Sequence, residues 1–254
     1  MPEKRAVIFA NGTLRDPDAV RALIRPDDHL IAADGGVRHA LALGLRPAVV
    51  IGDFDSLAND ERRRLEEEGA HFVEYPRDKD ETDLELALRY TLDAGYRSML
   101  IVAALGGRLD QSLANLALLT DPALAALEVR LEDGIEEAFF VHHRAVIEGR
   151  AGDSVSLLPW GKPVKGVVAE GLKWRLRGET LYPHKTRGVS NELLGETARI
   201  SLKSGLLLCV HWRGSSTINR GCHHDADLPG APPPNVGQVS IPAAKWRVRN
   251  PPYG

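Results

Sequence analysis

Asp53 and Asp55 stand one residue apart at the end of an apolar run, Val49-Val50-Ile51-Gly52-Asp53-Phe54-Asp55-Ser56. A short Val/Ile run reads as a buried strand, and Gly52 lets the backbone turn where strand meets loop. Two carboxylates at this spacing repel unless a cation holds them. Magnesium suits them, because it takes one or two hard carboxylate oxygens and completes its shell with water and phosphate. A turn rich in Asp and Ser also follows strands for purely local reasons, so the pair gains meaning only from the rest of the chain.

The other acids repeat the placement. Asp34-Gly35-Gly36 follows His29-Leu30-Ile31-Ala32-Ala33. Asp78-Lys79-Asp80 and Thr82-Asp83-Leu84-Glu85 follow His71-Phe72-Val73-Glu74-Tyr75, and Gly106-Gly107-Arg108-Leu109-Asp110-Gln111 follows Met99-Leu100-Ile101-Val102-Ala103. In a parallel sheet all strand C-termini share one edge, so Asp34, Asp53, Asp55, Asp80, Asp83 and Asp110 can converge there. Nearby glycines let backbone N–H groups approach phosphate oxygens, and the helices starting there aim their positive ends at the same place. Each motif has a plain alternative. Thr82 and Glu85 have capping-box spacing, and Asp110 can cap the next helix. Arg108 suits a phosphate at the strand terminus. Neither a Walker A loop nor a Gly-x-Gly-x-x-Gly fingerprint occurs.

The elements that must position these residues alternate strand and helix through the first half. Ala6-Val7-Ile8-Phe9-Ala10 opens the series and ends at the turn signal Asn11-Gly12. Helical patterns follow at Val37 to Leu41, from about Asn59 to Glu68, from near Thr82, and on a face carrying Leu113, Leu116, Ala117 and Leu119. That alternation predicts a Rossmann-like parallel sheet covered on both faces across residues 1–130. From about Leu131 the pattern changes to short Val-rich strands broken by Gly and Pro, which predicts an all-β sandwich or barrel over 131–212. Residues 213–254 turn to Gly, Pro, Asn and His and read as an irregular tail. Cys222-His223-His224-Asp225 in that tail is a poor metal site, because adjacent residues do not easily point at one ion. Trp160 and Trp174 suit hairpin packing at least as well as ligand stacking.

The 254 residues, with a formal net charge of −3, give no bulk electrostatic basis for binding nucleic acid or an anionic membrane. The N-terminal apolar run is too short for a signal peptide and no stretch reaches membrane-spanning length, so a cytoplasmic location is expected. Two cysteines, Cys209 and Cys222, make no disulfide framework.

Six segments in this order resemble the thiamine pyrophosphokinase family: Asp34-Gly35-Gly36, Gly52 to Ser56, Asp78 to Asp83, Gly106 to Gln111, Gly171-Leu172-Lys173-Trp174, and Gly188-Val189-Ser190-Asn191-Glu192. The likeness runs over residues 5–212 and says nothing about the tail. It implies transfer of the diphosphoryl group of ATP to the hydroxyethyl oxygen of thiamine, with magnesium. It also implies a homodimer in which thiamine lies between the α/β domain of one subunit and the β domain of the other. By resemblance, Asp53, Asp55 and Asp83 are the metal and phosphate-handling acids. Asp34, Gly35, Gly36, Lys79, Thr82 and Arg108 face the nucleotide, and Asp110 lies near the transferred group. Trp174, Ser190 and Asn191 face thiamine, where an aromatic plane suits a flat cation. The other readings left open are a diphosphokinase for a pterin-like alcohol, an Asp-x-Asp glycosyltransferase, and a non-catalytic thiamine-binding regulator.

Overall fold

The computed structural model describes residues 4–55 and 57–214. The expected tail, with its Cys-His-His-Asp segment, therefore lies outside the described residues apart from positions 213 and 214, and so does Ser56.

Fourteen strands and five α-helices are formed by the described residues. In chain order they run β1 (Arg5–Phe9), α1 (Pro17–Leu23), β2 (His29–Ala33), α2 (Val37–Ala42), β3 (Val49–Gly52), α3 (Asn59–Glu67), β4 (His71–Glu74), α4 (Asp83–Asp93), β5 (Ser98–Val102), α5 (Leu109–Leu118), β6 (Glu128–Glu132), β7 (Glu136–Val141), β8 (Arg144–Glu148), β9 (Ser154–Pro159), β10 (Val164–Glu170), β11 (Leu176–Leu181), β12 (Asn191–Glu192), β13 (Thr197–Ser201) and β14 (Leu207–Trp212). The large sheet has ten strands in the order β12-β9-β14-β7-β6-β5-β1-β2-β3-β4. Strands β1 to β6 pair in parallel, and β7 joins β6 antiparallel.

Continuous apolar runs make sense because both faces of these strands are buried. On β1, Ala6 and Ile8 pack with Leu84, Leu86 and Leu88 of α4, while Val7 and Phe9 pack with Val20, Ile24 and Ala40 from the α1 and α2 side. After β6 the described chain forms strands only, paired antiparallel. Position 130 falls within β6, and the sheet continues through β7, β14, β9 and β12 without a break. The reason is the alternation along β7 and β14. Ala138 and Leu208 face the helical core, whereas Phe139, Val141, Leu207 and Cys209 face a second core shared with a four-stranded antiparallel sheet, β11-β10-β13-β8. One set of strands thus serves two layers. The architecture is mixed α/β with a large mixed sheet and a smaller antiparallel sheet packed on its far half.

Candidate active site

The large sheet changes direction of growth at β1 and β5: β2, β3 and β4 extend one way, β6 the other. Crevices that hold ligands in open α/β sheets form outside the strand C-termini at such a switch. A cavity of about 430 Å³ lies there, lined by Asn11, Gly12 and Thr13 after β1, Asp34 after β2, Thr82, Asp83 and Leu84 at the start of α4, and Gly106, Gly107, Arg108, Gln111 and Asn115 around the start of α5. Two helix N-termini thus open onto one cavity, a setting favourable to anions.

Close packing shapes its floor. A Cβ on Gly36 would fall on the carbonyl of Phe9, and one on Gly35 would sit 2.5 Å from the Asn11 amide. These glycines let the β2 turn press against the end of β1. A Cβ on Gly12 would lie 2.5 Å from the Ala103 carbonyl, whose oxygen already accepts the Gly12 N–H at 2.7 Å. Asn115 donates to the Ala104 carbonyl at 2.6 Å and fixes α5 to the β5 exit.

Carboxylate oxygens of Asp34, Asp53 and Asp55 lie within 4.8 Å of one another. The cause is Phe54, which adopts a left-handed φ of 58° and buries its ring edge-to-face on Phe72, with ring centroids 5.1 Å apart. Pulling the middle residue inward lets both flanking aspartates share one side. The Asp55 N–H then donates to Asp53 Oδ1 at 3.2 Å. Asp34, with φ 40°, comes up beside them, and a Cβ at Gly52 would lie 3.0 Å from the Asp34 Cβ and 3.3 Å from Asp83 Oδ1. Gly52 is the gap that lets these acids approach. Non-glycine residues at positive φ cost strain that persists where the surroundings over-determine it. Among the described residues they are Asp34, Phe54, Ala103 and Ser190, each beside a predicted site motif.

Asp34 joins Asp53 and Asp55 in the close group, and Asp83, grouped with that pair on the sequence, lies against the same Gly52 gap. Asp83 Oδ1 accepts a hydrogen bond from Lys79 Nζ at 2.6 Å and stands at the cluster's rim. Lys79, four residues earlier, is the cation nearest that acid in the loop. Thr82 fulfils its capping role, accepting the Glu85 N–H at 3.2 Å, while also lining the cavity. Arg108 lines the cavity and forks onto both oxygens of Asp110, which is mostly exposed. That hydrogen bond holds the Asp110 carboxyl below its ordinary pKa. Gln111, the last residue of the Gly106 to Gln111 motif, lines the cavity too, as do Asn11, Thr13 and Asn115, which carry no motif signal beyond the Asn11-Gly12 turn.

Trp174, Ser190 and Asn191 meet elsewhere, around a second cavity of about 320 Å³ that also touches Thr186, Arg187 and Val189. Trp174 is 49% exposed, with Lys173 Nζ 5.1 Å from its ring centroid. Asn191 is buried and uses its amide on the backbone of Trp174. No residue lines both cavities. Asn191 belongs to β12, six strand steps from β1, which at about 4.8 Å per step is roughly 29 Å across the sheet.

Clustered carboxylates, two helix N-termini and a glycine-walled crevice at a sheet switch point define an α/β protein built to handle phosphate esters. Sequence comparison is more specific. Residues 20–131 match the family model described as thiamin pyrophosphokinase, catalytic domain, and residues 143–207 match the model described as thiamin pyrophosphokinase, vitamin B1 binding domain. The chain belongs to the thiamine pyrophosphokinase family. A thiamine pyrophosphokinase of Bacillus subtilis is 29% identical over 188 residues, covering 72% of this chain and 88% of that protein. A rice counterpart is 25% identical over 192 residues, covering 66% of this chain and 67% of its own. The solved B. subtilis structure superposes with a TM-score of 0.74 at 26% identity, covering 84% of this chain and all of the other. The yeast thiamin pyrophosphokinase structure, at 16% identity and TM-score 0.67 over 84% of this chain and 87% of that one, shares the fold.

Proposed function

We propose that this chain transfers the diphosphoryl group of ATP to the hydroxyl of thiamine, releasing AMP and thiamine diphosphate, with the chemistry at the β1–β5 switch point. Membership of the family supports the reaction. The observation that carries its location is the approach of Asp34, Asp53 and Asp55 within 4.8 Å beside the cavity.

An all-carboxylate donor set, drawn together where a Cβ at Gly52 would crowd it, fits magnesium. Asp34, Asp53 and Asp55 would hold the ion, with Asp83 at its rim; when bound it neutralises phosphate oxygen charge. The chain's own groups do the rest. Gly35 and Gly36 keep the β2 turn close to the nucleotide side. The N-termini of α4 and α5, with Thr82 and Arg108, hold polyphosphate oxygens. Lys79 orients Asp83 through its 2.6 Å hydrogen bond. Asp110, already ionised and committed to Arg108, aims the guanidinium and is a weak proton acceptor. Positioning and charge neutralisation suffice for a loose phosphoryl-transfer transition state.

Thiamine is assigned to the Trp174 cavity, its cationic ring against the exposed indole, with Ser190 and Asn191 at the wall. The six strand steps between β1 and β12, roughly 29 Å of sheet, support a homodimer whose sites are shared between subunits. Exposed Leu109 and Leu113 on α5, beside the first cavity, and exposed Trp174 and Val189, lining the second, are apolar surface that such a dimer covers. In this reading residues 1–130 carry the ATP and metal role, 131–212 the thiamine role, and 213–254 stand outside both. Among the described residues no helix is long and apolar enough to cross a membrane, and the assignment is to the cytoplasm.

The test is an acceptor panel with ATP and magnesium. AMP should form with thiamine and not with a pterin alcohol, and UDP should not appear from a sugar nucleotide. AMP formation that ignores thiamine sinks the assignment, and binding of thiamine with no turnover makes the chain a regulator.

A further inference from the structure

His211 on β14 is wholly buried between two carboxylates. Its Nδ1 lies 3.0 Å from Glu137 Oε1 on β7, and its Nε2 lies 3.1 Å from Asp153 Oδ2 just before β9. Each ring nitrogen is engaged, so the imidazole cannot turn without breaking a buried hydrogen bond, a costly loss in a low-dielectric site. The far end of Glu137 is held in turn by Arg130 at 3.1 Å and Arg213 at 3.2 Å. Gly149 closes the space, since a Cβ there would sit 2.6 Å from Asp153 Oδ2 and 2.7 Å from His211 Cε1. None of these groups lines the phosphate cavity or the Trp174 cavity.

What His211 fixes leads directly to the acceptor side. The Asp153 carbonyl accepts the Leu193 N–H at 2.9 Å, and the next residues of β9 pair with β12, Ser154 with Glu192 and Val155 with Asn191. From that strand the Trp174 segment hangs by a run of bonds. The Lys173 N–H donates to the Glu192 carbonyl at 2.9 Å, and the Asn191 side chain takes both backbone groups of Trp174. β12 has only two residues and pairs with β9 alone, so it has little register of its own. The start of β9 sets it.

We propose that His211, through Asp153, is a positioning residue for the acceptor pocket: it holds the β9–β12 edge in the register that presents Asn191 and Trp174. This rests on assigning thiamine to the Trp174 cavity. A residue that only stabilises the fold alters melting temperature and active fraction; a positioning residue alters the acceptor's KM in the protein that remains folded.

The experiment measures KM for thiamine, KM for ATP and melting temperature for wild type, His211→Gln, Asp153→Asn and Trp174→Ala, as full-length protein. We expect His211→Gln to raise the thiamine KM about tenfold and to move the ATP KM less than about twofold. Asp153→Asn, which keeps the side-chain shape, should show the same split between the two KM values and decides the question if the His211 variant does not fold. A rise for Trp174→Ala with unchanged thiamine KM in both clamp variants, however unstable they are, overturns the positioning role and leaves the acceptor assignment intact. An unchanged thiamine KM in Trp174→Ala removes the acceptor assignment, and this proposal with it.

Discussion

Asn191 satisfies both backbone groups of Trp174: its Oδ1 accepts the Trp174 N–H at 3.0 Å and its Nδ2 donates to the Trp174 carbonyl at 2.7 Å. The buried amide fixes the backbone that carries the half-exposed indole, so the ring is presented without being packed into the core. Trp174→Ala should weaken thiamine binding by about 1–3 kcal/mol, with ATP binding little changed. Isothermal titration showing full thiamine affinity in the folded variant would return the indole to a purely structural role.

Asp34→Asn, Asp53→Asn and Asp55→Asn should each abolish most turnover while leaving melting temperature nearly unchanged, since each removes ligand charge at constant volume. Asp83→Asn should lower turnover less at saturating magnesium, because Asp83 stands outside the 4.8 Å group and pairs with Lys79. Near-normal rates at limiting magnesium in the first three variants would remove the metal seat.

Phe54→Ala removes the buried ring that turns Asp53 and Asp55 to one side. The expected cost is about 3–5 kcal/mol of stability from the lost burial and the cavity left behind, read by urea denaturation. Turnover should fall further than the folded fraction explains. Wild-type activity per folded molecule would show that the loop needs no such anchor.

Glu137 provides a pH signature. Burial pushes its carboxyl up, but the His211 hydrogen bond and the charges of Arg130 and Arg213 pull harder, leaving its pKa below the ordinary carboxylate value. A lowered folded-state pKa means stability present above the unfolded value, near 4.3, and lost as pH falls through the lower folded value. Glu137→Gln should therefore cost roughly 3 kcal/mol at neutral pH, with the gap to wild type shrinking as the medium is acidified below about pH 4. Neighbouring Glu132, raised by burial and in part by the charge of Glu137, titrates lower in the variant, so the comparison includes its shift as well. A gap constant from pH 7 to pH 3 contradicts the assignment of charge.

Shared sites make a quantitative prediction. Mixed and exchanged, Asp53→Asn and Trp174→Ala subunits, each nearly inactive alone at thiamine far below the KM of the Trp174 variant, should recover about a quarter of wild-type activity under those conditions, since half the random pairs are mixed and each holds one intact site. Demonstrated exchange without recovery would place each site within one subunit.

The acids on the sheet edge were legible because strand-end aspartates and turn glycines sit beside uninterrupted apolar runs. What stayed hidden depends on backbone geometry. Asp34 comes within reach of Asp53 and Asp55 because Phe54 turns inward and Gly52 leaves room, neither of which spacing reveals. That β7 and β14 alternate between two apolar cores stayed hidden as well, because the pattern is identical in sequence to a strand of a free-standing sandwich. Strand β11 carries little apolar pattern, because only its end residues Leu176 and Leu181 are buried. Helix α1 did carry readable signals, the Asp16 cap and Pro17 at its first position. The helical face expected from Leu113, Leu116, Ala117 and Leu119 forms as α5 with Leu119 buried just past its end, but no residue within the helix is fully buried, and Leu113 is 50% exposed.

The most direct measurement follows ATP labelled at the β-phosphorus through a reaction with thiamine and magnesium. Transfer of the diphosphoryl group predicts that the label leaves the nucleotide entirely and appears in thiamine diphosphate, in amounts equal to the AMP formed. Label retained in ADP, with thiamine monophosphate as the product, would contradict the account.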